Sequence, residues 1–150
     1  MAIYQVLRIG DPFLKETAKE VTKFDERMNK LINNMKDTMR AHYGVGLAAP
    51  QIGISKRVII VDDGNGLIEV INPEIVKCDG EAVGEEGCLS VPDRMGQVKR
   101  FTSVTVRGFD INGNSITIEA EDLLARILQH EIDHLNGILF IEKATDIEAI

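Results

Sequence analysis

Phe24, Met28, Leu31, Ile32, Met35 and Met39 recur at helical spacing. They share one face and predict a helix from about Asp25 to His42. Arg57-Val58-Ile59-Ile60-Val61 follows another rhythm; a short unbroken apolar run of this kind is typical of a buried strand. Asp63-Gly64-Asn65-Gly66 is a strong turn, which makes Leu67 to Ile71 the return strand and Asn72-Pro73 its stop. Glu74 to Cys78 alternates like a strand, as does Ser103 to Phe109. Asn112-Gly113 turns the latter into Ser115-Ile116-Thr117-Ile118-Glu119, a hairpin signal.

A second helix follows. Glu121 and Asp122 suit a helix N-terminus, where the dipole favours negative charge. Leu123, Leu124, Ile127, Leu128, Ile132 and Leu135 form a broad apolar stripe, and Asn136-Gly137 supplies the stop. An early helix, antiparallel strands and a late helix define an α+β fold.

Length and composition narrow the class. The 150 residues are read as one domain, 1–150, with a single core. A hydrophobic content of 44% is that of a globular protein. No run of apolar residues is long enough for a transmembrane helix, and Met1 to Arg8 lacks the apolar core of a signal peptide. The expected location is therefore the cytoplasm, without membrane attachment. A net charge of −7 argues against DNA binding, although Lys99-Arg100 could form a small basic patch.

The chemistry concentrates in His130-Glu131-Ile132-Asp133-His134. Residues four apart stack on one helical face, so both imidazoles can grip one metal ion with Glu131 beside the metal's water. A solvated helix face is the bland alternative. A catalytic site of this type usually has a third protein ligand. The extended zinc-protease pattern matches as far as Gly137 but fails at Phe140. Glu142 and Glu148 lie in a short acidic tail, and His42 suits a helix C-terminus. The cysteines remain. Cys88 follows Glu85-Glu86-Gly87, a Gly-containing approach to a short apolar run, whereas Cys78 reads as ordinary packing. A Cys78–Cys88 disulfide has no support from any sign of secretion.

Three segments, Gly44-Val45-Gly46-Leu47-Ala48-Ala49-Pro50-Gln51, Glu86-Gly87-Cys88-Leu89-Ser90 and the His-Glu segment, occur in this order. The chain thereby resembles bacterial peptide deformylases over nearly its whole length. The first segment also fits a loose dinucleotide fingerprint, but that motif needs a strand before it and a helix after it. Here a helix precedes, and Pro50 opposes one that follows.

The resemblance implies antiparallel β-sheets surrounding a central metal-binding helix, with the N-terminal helix packed outside. It implies Cys88, His130 and His134 as ligands of one divalent ion, Fe2+ in the cell, with Zn2+, Ni2+ or Co2+ able to replace it. Its reaction is hydrolysis of the formyl group from the formyl-methionine of nascent polypeptides. Glu131 moves the proton, while Gln51 and the Leu89 N–H hold the oxyanion. Val45, Gly46 and Gly87 are the expected backbone contacts of a strand-like peptide. Val45 and Ile127 are expected to line the methionine pocket. Asp133 is expected to support a ligand His. A transient ribosome contact is implied, but the short acidic C-terminus does not suit docking through a basic terminal helix. A general metallopeptidase and a non-catalytic metal module are the competing readings.

Overall fold

The computed structural model describes residues 3–150; Met1 and Ala2, part of the stretch read for a signal peptide, lie outside the described residues. Helix α1 spans Glu26–Ala41 and starts on Asp25, whose carboxylate accepts from the Arg27 N–H. Eight strands follow: β1 (Gly46–Ala48), β2 (Val58–Asp62), β3 (Leu67–Asp79), β4 (Ala82–Cys88), β5 (Val91–Arg100), β6 (Ser103–Phe109), β7 (Ser115–Glu121) and β8 (Thr145–Ala149). Helix α2, Asp122–Leu135, stands between β7 and β8.

All the sheet pairings are antiparallel. Strands run β1-β2-β3-β6-β7 in a five-stranded sheet and β4-β5-β8 in a three-stranded one. Strand β2 explains the unbroken apolar run. Val58 and Ile60 pack with α1 residues Met28, Leu31, Ile32, Met35 and Met39, while Ile59 and Val61 pack with Ala125, Ile127, Leu128 and Ile132 of α2. A strand covered on both faces needs no polar side. α1 thus covers the outer face, and α2 lies between the two sheets. On its far side Arg126 donates to the Val98 and Ala82 carbonyls of the small sheet. The expected α+β arrangement is the observed one.

Three expectations about elements need correction. Asn72-Pro73 does not stop the return strand; β3 continues to Asp79. The ladder shifts register between Ile71 and Glu74, and Asn72 there adopts a left-handed φ of 52°. Its side-chain amide accepts from the Val21 N–H and donates to the Val21 carbonyl. A bulge therefore absorbs a residue that a regular ladder would reject. Cys78 is exposed rather than packed, at the polar end of β3. Leu123, placed in the apolar stripe, is 57% exposed because it stands in the first turn of α2 at a cavity rim. The acidic C-terminal segment forms β8 on β5.

Candidate metal centre and active site

Helix α2 presents His130 and His134 one turn apart, with ring centroids 5.1 Å apart. Cys88 ends β4, where the ladder shifts register, and its Sγ lies 3.3 Å from His134 Nε2. One donor atom from each of Cys88, His130 and His134 lies within 4.8 Å of the other two. Donors bound at about 2.0–2.3 Å to one ion fit such a cluster. The Sγ also lies near two N–H donors, the Gln51 amide at 3.6 Å and the Ser90 backbone at 3.4 Å.

The electrostatics match a cation site. Burial opposes charge on His130, but hydrogen bonds to Cys88 and Glu86 and the charge of Glu131 overcome it and push its pKa up to about 10. Burial, aided by His130 and Arg100, pulls His134 well below the ordinary value. Glu131 Oε1 and His134 Nδ1 are buried with no hydrogen-bond partner among the described residues. Burial raises the Glu131 carboxyl to about 7. A thiolate, two imidazoles and a poised carboxyl suit a divalent metal with an open position.

Cys88, His130 and Glu131 face a cavity of about 410 Å³ that also meets Val45, Gly46, Gln51, Leu89, Arg126 and Ile127. Its two sides are edge strands, β1 of the large sheet and β4 of the small one.

The polypeptide deformylase family model matches residues 3–149. The chain belongs to the polypeptide deformylase family. It is 60% identical over 147 residues to a peptide deformylase of Carboxydothermus hydrogenoformans, covering 98% of this chain and 97% of that one. A peptide deformylase of Pelotomaculum thermopropionicum is 53% identical over 150 residues, 100% of this chain and 97% of that one. Among solved structures, the Thermotoga maritima peptide deformylase superposes with a TM-score of 0.95 at 45% identity, covering 97% of this chain and 99% of that chain.

In this deformylase the residues singled out from the sequence converge. Gln51 lies inside the site. It is 1% exposed, on the short helix Ala49–Ile52. Its Oε1 accepts from the Ala48 N–H, which turns Nε2 toward Cys88 and the Ser90 hydroxyl. Leu89 lines the cavity between Cys88 and Ser90. Gly46 makes room first for Glu131, since an added Cβ would lie 2.5 Å from its Oε2. Gly87 does the same for Met95, whose sulfur would be 2.5 Å away. Both glycines nonetheless line the cavity.

Asp133 is not the acceptor for a ligand His. That acceptor is Glu86, whose Oε1 receives the His130 Nδ1–H at 2.9 Å. Asp133 instead pairs with Arg100 and Lys143. Arg100, expected in a surface patch, is 5% exposed and grips Glu86 through Nε at 2.9 Å and Nη2 at 3.0 Å. Arg126 Nη1 adds a third grip at 2.6 Å. Burial pushes the Glu86 carboxyl up, but His130 and Arg100 outweigh it and lower its pKa to about 2. Sequence reading gave no role to Glu86, Arg126 or Ser90. Arg126 carried a usable signal: it stands four residues before His130, on the same helical face.

Proposed function

We propose that the protein acts as one catalytic domain that hydrolyses the N-terminal formyl group of formyl-methionyl nascent polypeptides, releasing formate and a free amine. The observation that carries this reading is the meeting of Cys88, His130 and His134 beside a buried Glu131, in a chain of the deformylase family. A divalent ion held by those three residues would supply an activated water and polarise the formyl oxygen.

The chain's own groups do the rest. Glu131, with its pKa near 7, takes a proton from the attacking water and returns one to the leaving nitrogen. The C–N bond breaks, and the oxygen of that water stays with the formyl carbon. Gln51 Nε2, held toward Cys88 by the Ala48 N–H and Ser90, donates to the developing oxyanion together with the Leu89 N–H. The peptide lies between two sheet edges, against the backbone of Val45, Gly46 and Gly87. Val45 and Ile127 contact the methionine side chain, in a cavity large enough for it.

We assign Fe2+ as the native ion, with Zn2+, Ni2+ or Co2+ as possible replacements; thiolate plus two imidazoles suits each. Formylated chains arise at ribosomes, so a transient ribosome contact in the cytoplasm accompanies this reading. Among the described residues no helix is long and apolar enough to cross a membrane.

The test is formate release from a formyl-methionyl dipeptide under anaerobic conditions, with metal analysis of the same sample. Glu131→Ala should abolish turnover while the metal stays bound. Cleavage of internal peptide bonds in place of deformylation would favour a metallopeptidase and sink the proposal.

A further inference from the structure

Arg126 serves two places at once. Its Nη1 donates to Glu86 Oε2 at 2.6 Å and to the Val98 carbonyl at 2.9 Å, and its Nη2 donates to the Ala82 carbonyl at 2.9 Å. The planar guanidinium therefore spans β4 and β5. It lies across Gly84, where an added Cβ would sit 3.0 Å from Cζ, 3.1 Å from Nη2 and 3.2 Å from Nε. Three near-equal distances place that missing atom over the guanidinium face. Gly84 has no positive φ, so its backbone does not demand glycine; the space taken by Arg126 does. Arg126 also borders the cavity beside Leu123 and Ile127, with its side chain 15% exposed.

We propose that Arg126 is a specificity-determining and positioning residue for deformylation: laid across Gly84, it walls the pocket for the first side chain and braces Glu86 behind His130. This rests on the deformylase reading of the site. The brace follows from how Glu86 is surrounded. Its Oε1 holds the His130 Nδ1–H and accepts from Arg100 Nη2, and Oε2 is shared by Arg100 Nε and Arg126 Nη1. The Arg100 side chain is 3% exposed and does not line the cavity, whereas Arg126 closes the side that does. Without it the carboxylate loses its partner on the cavity side and is held behind His130 by Arg100 alone. Outer partners of this kind are typically worth about 10–100-fold in metal affinity or activity.

The wall follows from planarity. A guanidinium fixed on three acceptors is a flat, rigid surface, against which an unbranched thioether can lie. A lysine ammonium could reach Glu86 but could not span all three acceptors. The two roles are therefore separable. Arg126→Lys keeps a cation on Glu86 and loses the wall. Arg126→Met keeps apolar bulk and loses the brace.

The experiment compares the metal-loaded parent with Arg126→Lys, Arg126→Met and Gly84→Ala. One readout is the rate of metal release to a chelator; the other is the kcat/KM ratio for formyl-Met over formyl-Ala dipeptides. Arg126→Met should release metal about 10-fold faster, the lower end for such partners. Arg126→Lys should release it within about threefold of the parent but lower the Met/Ala ratio about fivefold, the scale of one imperfect pocket contact. Gly84→Ala, which must push the guanidinium aside, should lower the ratio in the same direction. If Arg126→Met does not fold, Arg126→Gln carries the brace arm. Parent-like metal release in Arg126→Met, or a parent-like ratio in Arg126→Lys, each overturns the proposal. A parent that releases no formate overturns the deformylase reading and the pocket half with it; chelator release still decides the brace.

Discussion

Gly46→Ala adds one carbon, and its effect can be worked from the site. The new Cβ would stand 2.5 Å from Glu131 Oε2 and 3.0 Å from Cδ and Cγ. Non-bonded heavy atoms settle at roughly 3.5 Å, so the carboxylate must retreat by about 1 Å. Gly46 lies in β1 with no positive φ, so alanine fits the backbone there. The substitution acts on Glu131 and leaves Cys88, His130 and His134 untouched. A displacement of this size costs on the order of 100-fold in rate. Loss of a general base altogether costs about 100- to 10,000-fold, so Gly46→Ala should fall near the lower edge of that window. The assay is formate release from a formyl-methionyl dipeptide, with metal content and thermal unfolding of the same sample. The expected result is a kcat lowered about 100-fold with full metal and a folded protein. Parent-like turnover would show that the carboxylate position does not govern the reaction.

The other predictions follow from the neighbouring groups. Gln51→Ala should lower kcat by about 100- to 1,000-fold, the usual cost of one oxyanion donor, while a metal assay finds the ion retained. In metal-free protein, Glu86 is lowered from 4.5 to about 2, so it adds stability above its ordinary pKa and loses it as pH falls through about 2. The contribution is about 3 kcal/mol; denaturant unfolding from pH 7 to 2 should show that part of the acid slope vanish in Glu86→Gln. Peroxide should inactivate the iron-loaded enzyme by oxidising Cys88 or the ion; full activity after aerobic storage with zinc as the sole metal would refute the iron assignment.

What could be read in advance was local. Helix α1, strand β2, the β6–β7 hairpin and α2 each carry their own periodicity and stop signals, and each formed where expected. Strand β3 outran its apparent stop because the Asn72 bulge is held by Val21, 51 residues away in sequence. Strands β4 and β5 are mostly polar or partly exposed, so no alternation announced them. The cluster of Cys88, His130 and His134 was legible because few side chains can serve as metal donors. The carboxylate behind His130 was not: Glu86 and Asp133 are equally acidic in sequence, and only the approach of β4 to α2 decides between them.

The two strands flanking the cavity each leave one side of their backbone unpaired within their own sheets. Exposed edges of this sort invite another chain to add itself, which is a route to self-association. Here β1 is only three residues long, and β4 lies opposite it across a cleft. An extended peptide entering this cleft would meet free backbone groups on both sides. An edge as short as β1 is one of the ways proteins limit that risk while leaving backbone groups free for a substrate chain.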